Sequence, residues 1–441
     1  MSSTIPPAKG PPNRWRSVVT IAISRTIDDT ESGLMNNLFP VIRASLGLTL
    51  AQLGLLAAIP RFARMIFGPV WSMMADRWGR KRVLVFATGV WGIWTGLVGL
   101  SQNFEQMLIL YAIGAIGTVA GEPIANGLIA DHFKNNERGK AYGWLRSLSS
   151  FGSLALTPLI AYFARDPEGW RLGLYTMGAL SVLSGIAIHF FVDEPAPAPR
   201  AAAKNTASNS ADEPDPEAPP TPANFSWRDA LALWKIPTFR LLAGSVIFIT
   251  SIVMMSFMVT FFVEVRGWPT ADANYLQGAF TGGWMLSSVL GGFLGDWFER
   301  RFQARGRVIL MQLYLAVFSA ASFLVFQFDW GRGPLPFVML FGFGLIGSIG
   351  FSGVVLPMVS HVVPSVSRAT AFALLFSLLQ GMFAGVLSLA AGRLADQIGL
   401  QSLMLWMVTV PYAINAVYWT SFLRAYPRDR AACETSEELS T

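Results

Sequence analysis

The chain has 441 residues, of which 53% are hydrophobic and only 14% charged, and its mean hydropathy is +0.45. A soluble chain carries about 25% charged residues, so this composition excludes an ordinary water-soluble domain and points to a membrane protein. The 33 basic and 27 acidic residues give a mildly positive balance, and no basic run is interleaved with aromatics, so nucleic acid is not an expected partner.

The lone Cys433 allows neither an internal disulfide nor a thiolate metal site. The three histidines have no metal-ligand spacing, and no nucleophile–base constellation or phosphate loop is present, so no enzyme, metal or cofactor is expected.

In chain order, residues 1–16 are polar and Pro-rich and read as a cytosolic tail without a cleavable signal peptide. A membrane helix needs about 20 mostly apolar residues. Runs of that length lie near 17–42, 51–75, 83–101, 106–130, 141–164 and 171–192, and again near 240–263, 276–295, 308–328, 336–359, 370–391 and 402–423.

The first run holds Arg25, Asp28, Asp29 and Glu31 within seven residues. At about 100° per residue, Arg25, Asp28, Asp29 and Ser32 share one arc, continued by Asn36 and flanked by Glu31 and Asn37. A charge at mid-bilayer costs at least about 2.5–3.5 kcal/mol, so such a stripe is expected to line a water-filled passage or face partners. Arg61 and Arg64 follow Pro60 in the second run, Glu122 lies in the fourth and Arg146 in the fifth. Glu122 and Arg146 sit at similar depth, which predicts an ion pair between them. Asn126, Gln380 and Asn415 are further polar candidates for a cavity wall. The Met/Phe-rich MMSFMVTFF of the seventh run reads as helix packing.

Residues 193–225 are Pro, Ala, Ser and acidic residues with little to bury, a disordered linker; the SWRDALALWKIP that follows is either a short interfacial helix or a plain turn. The expected division is thus a tail (1–16), a six-helix bundle (17–192), a cytoplasmic linker (193–238), a second bundle (239–425) and a tail (426–441). Lys and Arg concentrate on the side holding both termini and the linker, which the positive-inside rule makes cytoplasmic.

The halves repeat each other. GPVWSMMADRWGRKR follows the second run, and GGFLGDWFERRFQARGR follows the eighth, with Asp76 and Asp296 in matching places. A tandem repeat of six-helix units is a transporter signature. Here the sequence resembles the major facilitator superfamily over nearly its whole length. The family's loop signature, G-x-x-x-D-R-x-G-R-[RK], stands as SMMADRWGRK, with Ser72 for the leading glycine; the second copy keeps Gly292 and Asp296 but displaces its basic part. YAIGAIGTVAGEPIANG, with Ala112 and with Glu122 beside Pro123, resembles the branch of spinster-like lipid and organic-anion carriers.

The resemblance implies an all-α fold of about twelve helices in two pseudo-symmetric bundles, and transport by alternating access. It implies that Asp76 meets the start of the eleventh helix when the cytoplasmic gate is shut, and that Arg80 pairs with Asp131, with Arg77 and Gly79 completing the motif. The charged set Arg25, Asp28, Asp29, Glu31, Arg61, Arg64, Glu122 and Arg146 is expected to bind a proton and a small organic, anionic or amphipathic solute. A proton-independent uniporter, a lysolipid or lipid carrier, and a non-transporting receptor are the alternatives. The expected setting is a plasma membrane, of the bacterial inner-membrane kind, and a monomer.

Overall fold

The computed structural model describes residues 14–133, 135–193, 231–248, 251–364 and 367–438. The N-terminal tail up to residue 13, the linker from 194 to 230 with Trp227, and the last three residues lie outside them. No strand occurs among the described residues, and twelve helices account for nearly all of them.

Six helices form the first half: α1 (Arg14–Leu46), α2 (Leu50–Trp78), α3 (Arg80–Leu84, continued as Ile93–Val98), α4 (Phe104–Thr118 and Gly121–His132), α5 (Asn135–Ala155 and Thr157–Phe163) and α6 (Gly169–Phe191). The second half follows as α7 (Pro237–Val246 and Ser251–Glu264), α8 (Thr270–Phe302), α9 (Gly306–Gln327), α10 (Leu335–Ile346 to Leu356–Val362), α11 (Arg368–Phe372 to Gln380–Ile398) and α12 (Leu400–Met404 to Phe422–Glu438). Among the described residues, seven helical runs are long and apolar enough to cross a membrane by length and composition. α1 is not among them, because its four ionisable groups lie mid-helix.

The breaks have local causes. α2 keeps Pro60 and Pro69 inside it, and α3, α10, α11 and α12 each contain a wider π turn, a common device for bending a helix around a passage. The start of α2 is fixed by a capping box, in which the Thr49 hydroxyl accepts from Gln52 N and the Gln52 side chain accepts from Thr49 N.

The two halves meet mainly at the end carrying Arg43 and Asp396. There Gly54 of α2 lies against Ser388 and Gly392 of α11 so closely that a Cβ on either glycine would strike the opposing backbone. Asp396, near the end of α11, accepts from the backbone N–H groups of Leu50 (3.0 Å) and Ala51 (2.8 Å), capping α2 across the interface. Arg43 pairs with Glu264, and the Asn274 amide donates to the Asn37 carbonyl at 3.1 Å.

The opposite end, carrying Asp76, is built differently. Arg80 donates to Asp131 at 2.8 Å and to Asp76 at 3.1 Å, and Arg14 pairs with Glu137 at 2.6 Å. In the second half Arg307 pairs with Asp296 at 3.1 Å and with Glu299 at 2.6 Å, while Arg430 also holds Glu299. Each of these pairs stays within one half. The contacts that join the halves, from Asp396 to α2 and from Arg43 to Glu264, lie at the other end, where the passage between them is shut.

The repeat is closer in space than in sequence. Arg80 opens α3 and lies against Gly127 of α4; Arg307 opens α9 and donates to the carbonyl of Gly353 in α10. Arg307, the last residue of the displaced ERRFQARGR, thus takes in the second half the place that Arg80 holds in the first. MMSFMVTFF is largely core: Met254, Phe257, Met258 and Phe261 are fully buried.

Candidate functional site

The charged stripe of α1 is divided by the fold. Asp29 faces the passage with its side chain 45% exposed, and Arg25, one turn earlier, donates to it at 3.2 Å. Asp28 turns the other way and is buried, 3% exposed, against the start of the second segment of α4. Gly121 makes the room: a Cβ there would overlap Asp28 Oδ2. That oxygen is buried and has no hydrogen-bond partner.

Glu31 is buried too, but satisfied. Thr95 of α3 donates to its Oε1 and Ser181 of α6 donates to Oε2 at 2.7 Å, so Glu31 ties three helices together. A void of about 20 Å³, room for one water, separates Glu31 and Ser32 from Pro60 and Tyr111. Ser32 donates to the Asp28 carbonyl at 2.9 Å.

The other arginines are placed differently from the sequence expectation. Glu122 pairs with Arg64 of α2 at 3.1 Å rather than with Arg146. Arg64 of α2 reaches this carboxylate and takes the place expected of Arg146. Arg146 is exposed and forms no ion pair among the described residues. Arg61 crosses between the halves, donating to Ser388 Oγ of α11 (2.8 Å) and Ser256 Oγ of α7 (2.9 Å), as well as to its own helix at the Ala57 carbonyl.

Of the uncharged candidates, Asn36 and Gln380 are half-buried, and the Asn126 side chain is exposed while its carbonyl accepts from Tyr142 at 2.9 Å. Asn415 is not on a cavity wall. It is 1% exposed inside the second bundle, where Ser245 donates to it at 3.3 Å and Trp419 donates to Ser245. A polar residue on an apolar helix has two ways to be satisfied, and here internal hydrogen bonding wins. Gly292, Arg77 and Asp296 sit at the Asp76 end, Arg77 exposed and Asp296 on Arg307. Asp76 meets Arg80, at 3.1 Å.

At the inner apex of the passage, below the shut end, a cavity of about 140 Å³ lies between α1, α5 and α8. Its walls include Asp29, Thr30 and Asn37 from the first helix, Ser153 and Thr157 from the fifth, and Gln277 and Thr281 from the eighth. Sequence reading missed the α8 contribution. Its signal was present: Asn274, Gln277 and Thr281 recur at spacings of three and four, one face of a helix.

Comparison with known proteins agrees with the geometry. Residues 21–389 match the model of the Major Facilitator Superfamily. The chain is similar to the quinolone resistance protein NorA of Staphylococcus aureus (strain COL), 25% identical over 323 residues, covering 71% of this chain and 75% of that one. It is also similar to the probable sulfoacetate transporter SauU of Cupriavidus necator, 32% identical over 160 residues, 35% of this chain and 36% of that one. Among solved structures, a bacterial homologue of the human lysosomal transporter Spinster, inward-facing and unoccupied, superposes with a TM-score of 0.74 at 18% identity, covering 97% of this chain and 99% of that one. A D-xylose–proton symporter superposes with a TM-score of 0.71 at 15% identity, covering 94% and 99%. The chain belongs to the Major Facilitator Superfamily: it is an integral, multi-pass membrane transporter and not an enzyme.

Proposed function

We propose that the protein is a secondary active transporter that moves a small organic anion by alternating access and couples the movement to a proton. Asp28 is the observation that carries this reading. An ionised carboxylate buried with one oxygen unpartnered is costly, and a proton on Oδ2 removes that cost. Asp28 adjoins the Arg25–Asp29 pair, which faces the passage, so its protonation changes the field where solute enters.

The charge on the passage supports an anionic solute. Arg25 and Arg64 are answered by Asp29 and Glu122, whereas Arg146 has no ion-pair partner among the described residues and is open to incoming carboxylate. The lipid-carrier alternative needs an apolar wall in the second half, and the Met/Phe stretch that would supply it is core.

With both termini cytoplasmic by the positive-inside rule, the Asp76 end faces the cytosol and the state described is inward-open. A bacterial inner membrane, a monomeric carrier, and bundles bounded near 17–192 and 239–425 complete the proposal. The test is reconstitution into liposomes containing a pH dye, under an imposed pH gradient, with a series of small carboxylates. Coupling predicts solute-dependent proton movement and accumulation that a protonophore abolishes. Equilibration indifferent to the protonophore would instead make the protein a uniporter.

A further inference from the structure

We infer that the apex cavity recognises hydroxyl groups, and that the solute is a small polyhydroxylated carboxylate of the sugar-acid kind. The hydroxyl part rests on the cavity alone; the carboxylate part rests on the anionic reading above.

The cavity wall carries hydroxyl, amide and carboxylate groups and no cationic side chain. Ile160 is its one large apolar side chain, and no aromatic ring borders it. At about 140 Å³ it is smaller than the roughly 300–1,000 Å³ of pockets that enclose drug-sized ligands behind apolar and aromatic walls.

The hydrogen-bonding directions narrow the class. Thr30 donates to the Thr26 carbonyl at 2.7 Å, Ser153 to Ser149 at 3.0 Å and Thr281 to Gln277 at 2.9 Å. Their protons are committed to their own helices, so toward the cavity these hydroxyls offer lone pairs. Gln277 lines the cavity with a side chain that makes no hydrogen bond among the described residues, and Asp29 adds a carboxylate. Thr157 makes no hydrogen bond among the described residues, and it and the Asn37 amide supply donors to the same space.

A wall that mostly accepts and also donates suits groups that do both, which is the property of hydroxyls. An ammonium group would leave the donors idle, and Asp29 already has Arg25 beside it. A purely carboxylate solute would face the accepting wall with more acceptors. Arg146 lies two turns from Ser153 along α5, about 10 Å toward the open end, within reach of the carboxylate of a five- or six-carbon acid whose hydroxyls occupy the apex.

The experiment is thermal-shift binding by the full chain at constant pH without a gradient, using a hexonate, hexanoate, a hexitol and hexylamine as probes. The hexonate is expected to stabilise the protein, with hexanoate at least about tenfold weaker. Gln277→Leu is expected to weaken hexonate binding by about tenfold, the effect of one lost hydrogen bond, and Thr281→Val serves where the first variant fails to fold. Arg146→Gln should bring the hexonate down to the level of the hexitol. Hexanoate or hexylamine binding as tightly as the hexonate, unchanged hexonate affinity in Gln277→Leu and Thr281→Val, or no shift with either hydroxylated probe would overturn the inference. A hexitol equal to the hexonate, with Arg146→Gln silent, would retain hydroxyl recognition and overturn the anionic reading.

Discussion

The two ends of the passage use their charges in opposite ways. At the Asp396 end, charges and backbone join the halves: Asp396 caps α2 from α11, and Arg43 of α1 reaches Glu264 of α7. At the Asp76 end the ion pairs stay inside one half, Arg80 with Asp76 and Asp131, Arg307 with Asp296 and Glu299. The difference teaches that the motif around Asp76 is, in this state, parked. Its carboxylate can leave Arg80 without stripping that arginine of partners, because Asp131 remains. At the other end a single carboxylate satisfies two orphan N–H groups of the opposite half, and it must give them up before the passage can open there.

Removing Asp396 should break this asymmetry most. Losing a helix cap costs about 0.5–2 kcal/mol, so Asp396→Ala should shift the balance between the two states by about two- to thirtyfold. With Cys433 replaced by serine, a cysteine at Thr157 in the apex cavity reports the shift through labelling by an impermeant thiol reagent added from the Asp396 side. Labelling at the wild-type rate would show that the cap does not hold the end shut.

Asp76→Asn should act on the state not seen. The apparent melting temperature of the described state should stay within about a degree, since Arg80 keeps Asp131. Solute flux should fall several-fold, because the neutral side chain caps the start of α11 less well when the Asp76 end closes. A variant with full flux would confine Asp76 to a local anchor.

The smallest effect concerns Glu299, outside the expected span 276–295. Burial pushes its carboxyl up, but the hydrogen bond from Arg430 and the charge of Arg307 outweigh it, and the group is held below its ordinary 4.5. A depressed value contributes stability above the unfolded pKa, and that contribution is lost as pH falls through the folded value. Glu299→Gln should therefore melt about 2 °C below wild type at neutral pH, the gap closing below about pH 4. A gap constant with pH would mean that packing, not charge, is lost.

Much of this was legible in the sequence. Hydropathy, the tandem Asp76 and Asp296 loops and the charged first run were enough to place twelve helices in two halves. What could not be read was partnership across helices. Helical period puts Arg25, Asp28 and Asp29 on one arc, yet Asp28 and Asp29 are about 100° apart, enough for the bundle wall to run between them. Glu122 had two arginines at comparable depth, and only packing decides for Arg64. The cavity wall on α8 was overlooked because Asn274, Gln277 and Thr281 are uncharged, and uncharged residues on an apolar helix pack inward as readily as they line a passage. Asn415 shows the inward outcome.

The central claim is that Asp28 carries the coupling proton, and Asp28→Asn in reconstituted liposomes tests it most directly. Asparagine fits the same space without an exchangeable charge, so solute counterflow, which needs no net proton movement, should persist near the wild-type rate. Accumulation driven by a pH gradient should disappear. If Asp28→Asn accumulates solute against its gradient as the wild type does, the proton is carried elsewhere and the account is wrong.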